Sequence, residues 1–349
     1  MKLSVLFFLF SLFGFAQYTA IPDINFENKL IALGIDSGVA DGQVLTANIA
    51  NRFLLNVSNS GIRNLSGIQD FTKLTTLYCQ DNLLTSLDVS QNKKLNYLDC
   101  SNNALTSLNI SGSTDLATLN CETNQLSNID FTTNPVLYNL YCNSNKLTNL
   151  NLTANPDLNF LYCYANQLTS LSVTTNTKLT RLYCQENQIT SLDISTNTAL
   201  KEFFCRSNQL TSLNLKNGTS SSITSFNATS NPNLTCIQVD DVAYFNTNWA
   251  TQKDATATYN TACSNLGVPE TVFEKMSLYP NPTQGELHID HIVLEKATLY
   301  DASGKLLKTT KFTSATQSST LNMEAFSKGM YYLFLESEGT HTVKKIVVE

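Results

Sequence analysis

Hydrophobic and polar positions in this chain repeat with a period of 21 residues. Leucines recur at Leu74, Leu95, Leu116, Leu137, Leu158, Leu179 and Leu200. Cysteines keep the same step at Cys79, Cys100, Cys121, Cys142, Cys163, Cys184 and Cys205, as do asparagines at Asn82, Asn103, Asn124, Asn145, Asn166, Asn187 and Asn208. One unit, Leu74 to Lys94, reads L-x-x-L-x-C-x-x-N-x-L-x-x-L-x-V-x-x-N-x-x. Leu77 and Cys79 are two residues apart, so a strand turns both to one side. Leu84, Leu87 and Val89 do the same on a return leg. A coil of this kind buries about five or six apolar side chains at ~1.5–3 kcal/mol for each large one. Ordering its backbone costs ~1–2 kcal/mol per residue, so a single coil does not fold alone and stacked coils must share their faces. The asparagine column fits a bend, where a side-chain amide satisfies backbone groups that the turn leaves unpaired.

The unit resembles the leucine-rich repeat, with cysteine in place of the third leucine of L-x-x-L-x-L-x-x-N/C-x-L. The likeness is to the 21-residue bacterial class and covers about residues 51–241. It implies a mainly β solenoid, and says little about a ligand. Counting one coil before the cysteine coils and one after gives about nine. The first coil, Arg52 to Lys73, puts Val57 in the cysteine column and Ser60 in the asparagine column. Its return leg steps by three through Ile62, Leu65, Ile68 and Phe71, which predicts a 3₁₀-like back. Within Lys216 to Ser222 the phase slips by two residues before Ile223, Phe226 and Ala228 resume it.

Solenoid ends need caps. Ile21 to Gly34 reads as an amphipathic helix opened by Pro22 or Asp23, with Phe26, Leu30 and Leu33 on one face. Asp36 to Gly42 has a faint calcium-loop look but lacks the alternating acids and terminal Glu, so it reads as a turn. Trp249, the one tryptophan of the chain, lies between Cys236 and Cys263 in a segment that reads as a C-terminal cap. Met1 to Ala16 has the charged start (Lys2), apolar run and small-residue exit of a secretory signal, too short to span a membrane.

Beyond residues 264–271 the composition changes, and all three histidines (His288, His291, His341) lie there. Alternating runs at 286–289, 297–300 and 331–335, separated by turn signals such as Ser303-Gly304 and Glu338-Gly339, predict a small Ig-like β-sandwich. The ordered words Leu278-Tyr279-Pro280-Asn281-Pro282, Leu299 to Lys305, Lys328-Gly329-Met330-Tyr331-Tyr332 and the end Lys344-Lys345-Ile346-Val347-Val348-Glu349 closely resemble the C-terminal sorting domain of the type IX secretion system. That resemblance implies a Gram-negative source, passage across the outer membrane, removal of the domain, and display on the cell surface or release. The expected organisation is a signal peptide (1–16), an N-terminal cap (17–50), the solenoid (51–241), a C-terminal cap and linker (242–268) and the sorting domain (269–349).

Composition narrows the function. Charged residues are 14% of the 349, and the formal net charge is −6. An acidic chain without a basic cluster is a poor nucleic-acid binder. A linear row of cysteines offers no tetrahedral metal cage, and neighbouring Cβ atoms about 4.7–4.9 Å apart are too far for a relaxed disulfide, so the seven read as small buried hydrophobes. Cys236 falls off the inward column and Cys263 has no repeat partner. These two are expected to form a disulfide that pins the cap. The solenoid has no histidine for a nucleophile pair, and no metal or cofactor motif occurs. An outward column with Asp88, Asp130 and Asp193 is the nearest approach to paired carboxylates, and an envelope-attached glycan-acting enzyme or glycan-binding accessory protein is the alternative function. We expect instead a non-enzymatic surface binding or adhesion protein with a protein or glycan ligand.

The outward columns of the return leg are small and polar. Those of the first leg carry Tyr141, Phe160, Tyr162, Tyr164, Arg181, Tyr183, Phe204 and Arg206. Such residues make binding hot spots, and tyrosine platforms also stack on sugars. Cross-coil aromatic ladders can equally stabilise neighbouring strands by ~0.2–1 kcal/mol a pair.

Overall fold

The computed structural model describes residues 16–263, 273, 276–302, 305–312, 316–337 and 340–349. The expected signal peptide, apart from Ala16, lies outside these residues, as do most of the linker and the Ser303-Gly304 and Glu338-Gly339 turns. The chain divides into two compact units, residues 1–264 and 265–349.

The first unit opens with strand Tyr18–Ala20, antiparallel to Gln43–Leu45. Between them helix Ile24–Ala32 starts at Asp23. One carboxylate oxygen of Asp23 accepts from the backbone N–H groups of Asn25 and Phe26, which caps the helix. The other accepts from the N–H groups of Arg63 and Asn64, which ties the helix to the first coil. The helix is shorter than its periodicity suggested. Phe26 and Leu30 are buried, but Leu33 is the C-cap and 43% exposed. Gly34 takes the left-handed conformation just past it, and Ile35 supplies the next buried contact. Turn 36–42 is organised by a protein carboxylate: buried Glu27 accepts from the N–H groups of Asp41 and Gly42. A second short helix, Thr46–Ile49, leads into the repeats.

Nine strands of three residues form one parallel sheet in strict chain order, from Leu54–Asn56 through Thr76–Tyr78, Tyr97–Asp99, Thr118–Asn120, Asn139–Tyr141, Phe160–Tyr162, Arg181–Tyr183 and Glu202–Phe204 to Ser225–Asn227. The register advances by one repeat at each step, so Phe160 faces Arg181 and Tyr162 faces Tyr183. The two-residue slip appears where Glu202 pairs with Ser225. It is taken up around a 3₁₀ turn at Ser220–Ser222. On the return legs, strands Ser86–Asp88 and Ser107–Asn109 pair. Ser191–Asp193, Ser212–Asn214, Cys236–Gln238 and Thr258–Asn260 form a second parallel set. The first coil's back turns through 3₁₀ helix Ile68–Asp70, with Ile62, Leu65, Ile68 and Phe71 all buried.

The leucine and cysteine columns are fully enclosed, and the seven ladder cysteines are free thiols. Each ladder asparagine reaches back to the preceding coil. The Asn124 amide donates to the carbonyls of Cys100, Cys121 and Glu122 and accepts from the N–H of Leu105. The residue before it in every coil is left-handed, from Asn59 through Thr123 to Ser230. A second asparagine column (Asn92, Asn134, Asn155, Asn176, Asn197) is fully buried and donates to preceding carbonyls, as Asn134 does to Ile110 and Ser113.

The solenoid continues past Asp241 into a capping coil, a tenth turn. Helix Val242–Asn248, capped by the Asp241 carboxylate on the Tyr244 N–H, crosses the end of the core. A bridge from Ala228 to Lys253 and the pairing of Cys236–Gln238 with Thr258–Asn260 then extend both legs. Phe245 is buried against Phe226 and Tyr259, with ring centroids 5.9 and 5.1 Å away. Cys236 and Cys263 form a disulfide, their Cα atoms 5.8 Å apart.

The second unit is a sandwich. One sheet orders its strands Ser277–Tyr279, Glu286–Asp290 and Ser318–Asn322; the other orders Leu306–Lys311, Lys296–Asp301, Gly329–Ser337 and Thr340–Val348. Alternate residues Leu287, Ile289, Leu299, Leu333, Leu335 and Ile346 fill the space between them. Asn281 clasps the final strand, donating to the Lys345 carbonyl and accepting from the Val347 N–H.

Candidate binding face on the parallel sheet

Strand alternation turns the leucine and cysteine columns inward, so the residues between them must face out. Tyr141, Tyr162, Tyr183 and Phe204 occupy that outward column on four consecutive strands and are half-buried. Their rings form one continuous stack. Centroids are 5.0 Å apart for Tyr141–Tyr162, 4.3 Å for Tyr162–Tyr183 and 4.8 Å for Tyr183–Phe204. These separations match the ~4.7–4.9 Å between strands, so each ring sits over its own strand. Tyr162 and Tyr183 are 4° from parallel, whereas the two outer contacts are edge-on at 83° and 69°. The central rings therefore cover one another's faces.

The neighbouring column reads Phe160, Arg181, Glu202 in register. The Arg181 guanidinium lies 4.6 Å over the Phe160 ring, and its Nε is 3.1 Å from a Glu202 carboxylate oxygen. The other Glu202 oxygen accepts from the Tyr183 hydroxyl at 2.5 Å. Burial, reinforced by that hydrogen bond, pushes the Tyr183 phenol up; burial alone is the leading cause for Tyr141 and Tyr164. Both arginines are charge-paired. The face thus offers contact area and hydrogen bonds.

Tyr164 and Arg206 stand apart from the ring stack, in the column that follows the cysteines. Arg206 pairs with Glu186 at 2.7 Å. Both arginines have carboxylate partners on a neighbouring coil. Glu202 was visible, since it is one repeat beyond Arg181; Glu186 sits at the left-handed turn residue, outside the strand columns. A separate aromatic pair, Tyr78 and Tyr97, lies nearer the N-terminus with centroids 5.1 Å apart. Buried Asp99 and half-buried Asn120 occupy the ring column between that pair and the main stack.

The acidic column on the return leg is exposed and engaged locally. Asp88, Asp130 and Asp193 each accept from the N–H two residues on. At Asp130 that bond, from Thr132, holds the carboxyl below its usual range. These are turn-capping contacts of the Asx type.

Residues 277–349 match the family of secretion system C-terminal sorting domains. No curated protein matched the chain. Among solved structures, the functional domain of InlJ from Listeria monocytogenes, which includes a cysteine ladder, is similar at 21% identity, covering 96% of this chain and 99% of that one with a TM-score of 0.38. Internalin C2 of L. monocytogenes is similar at 24% identity over 70% of this chain and 99% of its own, with a TM-score of 0.48. A leucine-rich repeat protein of Leptospira interrogans shares 20% identity over 59% of each chain, with a TM-score of 0.45. The sorting domain marks export to the outer surface or the medium. Together, the repeat columns and the stacked coils give a solenoid with the leucine-rich repeat pattern, followed by residues 277–349, which belong to the secretion system C-terminal sorting domain family.

Proposed function

We propose that the exported solenoid is a surface recognition or adhesion protein, and that the strand face centred on Tyr162 and Tyr183 is its contact surface. The observation that carries this reading is the four-ring stack, Tyr141 through Phe204, with its ion-paired Arg181–Glu202 flank. Half-buried aromatics held by neighbours lose little side-chain freedom on binding, which is how hot spots gain affinity. The covered faces of Tyr162 and Tyr183 favour a protein over a sugar, because a sugar platform needs an open ring face.

The processing proposal has cleavage after Ala16, a mature chain of cap, repeats and C-terminal cap, and a second cut between Cys263 and Met276. Intact-mass measurement of the exported protein checks both cuts. For the binding face, the double variant Tyr162→Ala/Tyr183→Ala is expected to abolish attachment to cell-surface material while circular dichroism and melting remain near normal. Attachment that persists in a folded double variant places the contact elsewhere.

A further inference from the structure

The columns of the strand face have a symmetry that points to a particular partner. Over the last five cysteine coils, the column after the cysteines runs Glu122, Asn143, Tyr164, Gln185, Arg206. It is an acid, an amide, an aromatic, an amide and a base, and its two halves are complementary about Tyr164. Glu122 and Arg206 are four coils apart, about 19 Å at the strand spacing, so they cannot meet within one chain. Glu122 is half-buried and accepts from the Asn143 amide. Arg206 spends one guanidinium nitrogen on Glu186, and its side chain is 43% exposed. Arginine has donors left for a second carboxylate.

We infer that the partner of this face is a second copy of the chain, docked face to face and antiparallel about a two-fold axis along the strand Phe160–Tyr162. This rests on the reading of the strand face as a recognition surface. Such an axis keeps each column opposite itself and reverses the order of coils. Glu122 then meets Arg206 of the other copy, twice by symmetry. Tyr141 meets Tyr183, and Tyr162 meets its own counterpart. Arg181 falls opposite Asn139 and Glu202 opposite Thr118, so no like charges oppose within the strands or in the column after the cysteines. Moving the centre one coil toward the C-terminus sets Arg181 and Glu186 against their own copies. Moving it one coil the other way leaves Glu122 opposite Tyr164, with no ion pair. The central register is therefore favoured by both attraction and avoidance.

The test is sedimentation equilibrium of the full chain across the micromolar range, with charge reversal. The wild-type chain is expected to dimerise. Glu122→Arg alone and Arg206→Glu alone should each weaken the dimer roughly ten-fold or more, since each turns two attractive contacts repulsive. An equimolar mixture of the two variants should form heterodimers, because each then supplies the charge the other lacks. Circular dichroism checks that both variants fold. A wild-type chain that stays monomeric, or a dimer indifferent to both reversals, overturns the inference. If the chain is monomeric while Tyr162→Ala/Tyr183→Ala still abolishes attachment to cells, the face recognises a different molecule and the proposed function stands. If the pair of tyrosines affects neither dimerisation nor attachment, both readings fail.

Discussion

Tyr183 and Glu202 join two coils through one hydrogen bond, the phenol donating to a carboxylate that also holds Arg181 3.1 Å away. The bond fixes the Tyr183 ring against Tyr162 and makes Glu202 a positioning group for the stack. Tyr183→Phe keeps the ring and removes the bond. It should cost about 1–2 kcal/mol, the range for a charge-assisted hydrogen bond that is partly solvated. Glu202→Gln in the Tyr183→Phe background should cost much less than it does alone. A double-mutant cycle by urea unfolding reads this coupling, and strictly additive losses would show that the two side chains act independently.

The asparagine ladder should be far less tolerant than the aromatic face. Asn124 satisfies three carbonyls and one N–H in the interior. Asn124→Ala is expected to cost about 3 kcal/mol, since it strands buried backbone groups. Asn124→Asp should be worse, because a carboxylate cannot donate to the carbonyls of Cys100, Cys121 and Glu122. Denaturant titration of both variants gives the order; an Asp variant as stable as wild type would remove the proposed role of the amide donors.

Thr123 holds a left-handed backbone, φ 53°, where a β-branched side chain is strained. The equivalent residue two coils earlier is Asp81 and one coil earlier is Asn102, types that accept this conformation more readily. Thr123→Gly or Thr123→Asn should therefore stabilise the solenoid by about 1 kcal/mol. Thermal melting of both variants tests this. The exposed turn position of Thr123 makes lost packing a minor term.

The thiol ladder predicts a pH dependence with a definite sign. Burial raises all seven ladder thiols, Cys163 to about 12. A group protonated more tightly in the folded state contributes stability that is complete below its unfolded pKa, about 8.5, and is lost as pH rises toward the folded value. Unfolding free energy attributable to the ladder should be flat to about pH 8 and then fall, by up to ~1.4 kcal/mol per pH unit for each thiol. Urea melts at successive pH values should show a shallower fall in Cys142→Ala. Alkylation without reductant should label none of the nine cysteines in the native state and seven after unfolding. Breaking the Cys236–Cys263 bond, which closes a 27-residue separation, should cost on the order of 3 kcal/mol and loosen the capping coil first.

Periodicity alone determined the coil, its inward columns and the turn asparagines. A strand alternates its side chains between two sides, so a column that is apolar in every repeat can only be core. The first coil's step of three likewise announced its 3₁₀ back, and ordered motifs announced the sorting domain. What only the tertiary structure decided lies outside that alternation. Leu33 carries a helical period yet is exposed, because the helix ends at Ala32. The region after Asp241 has no repeat signature, yet Phe245 and Tyr259 close the core as a further coil. On the strand face, the sequence placed Tyr162 and Tyr183 outward but could not orient their rings. Ring orientation depends on the side chains of adjacent coils, on Glu202 and Arg181 most directly, and those contacts exist only once the coils are stacked.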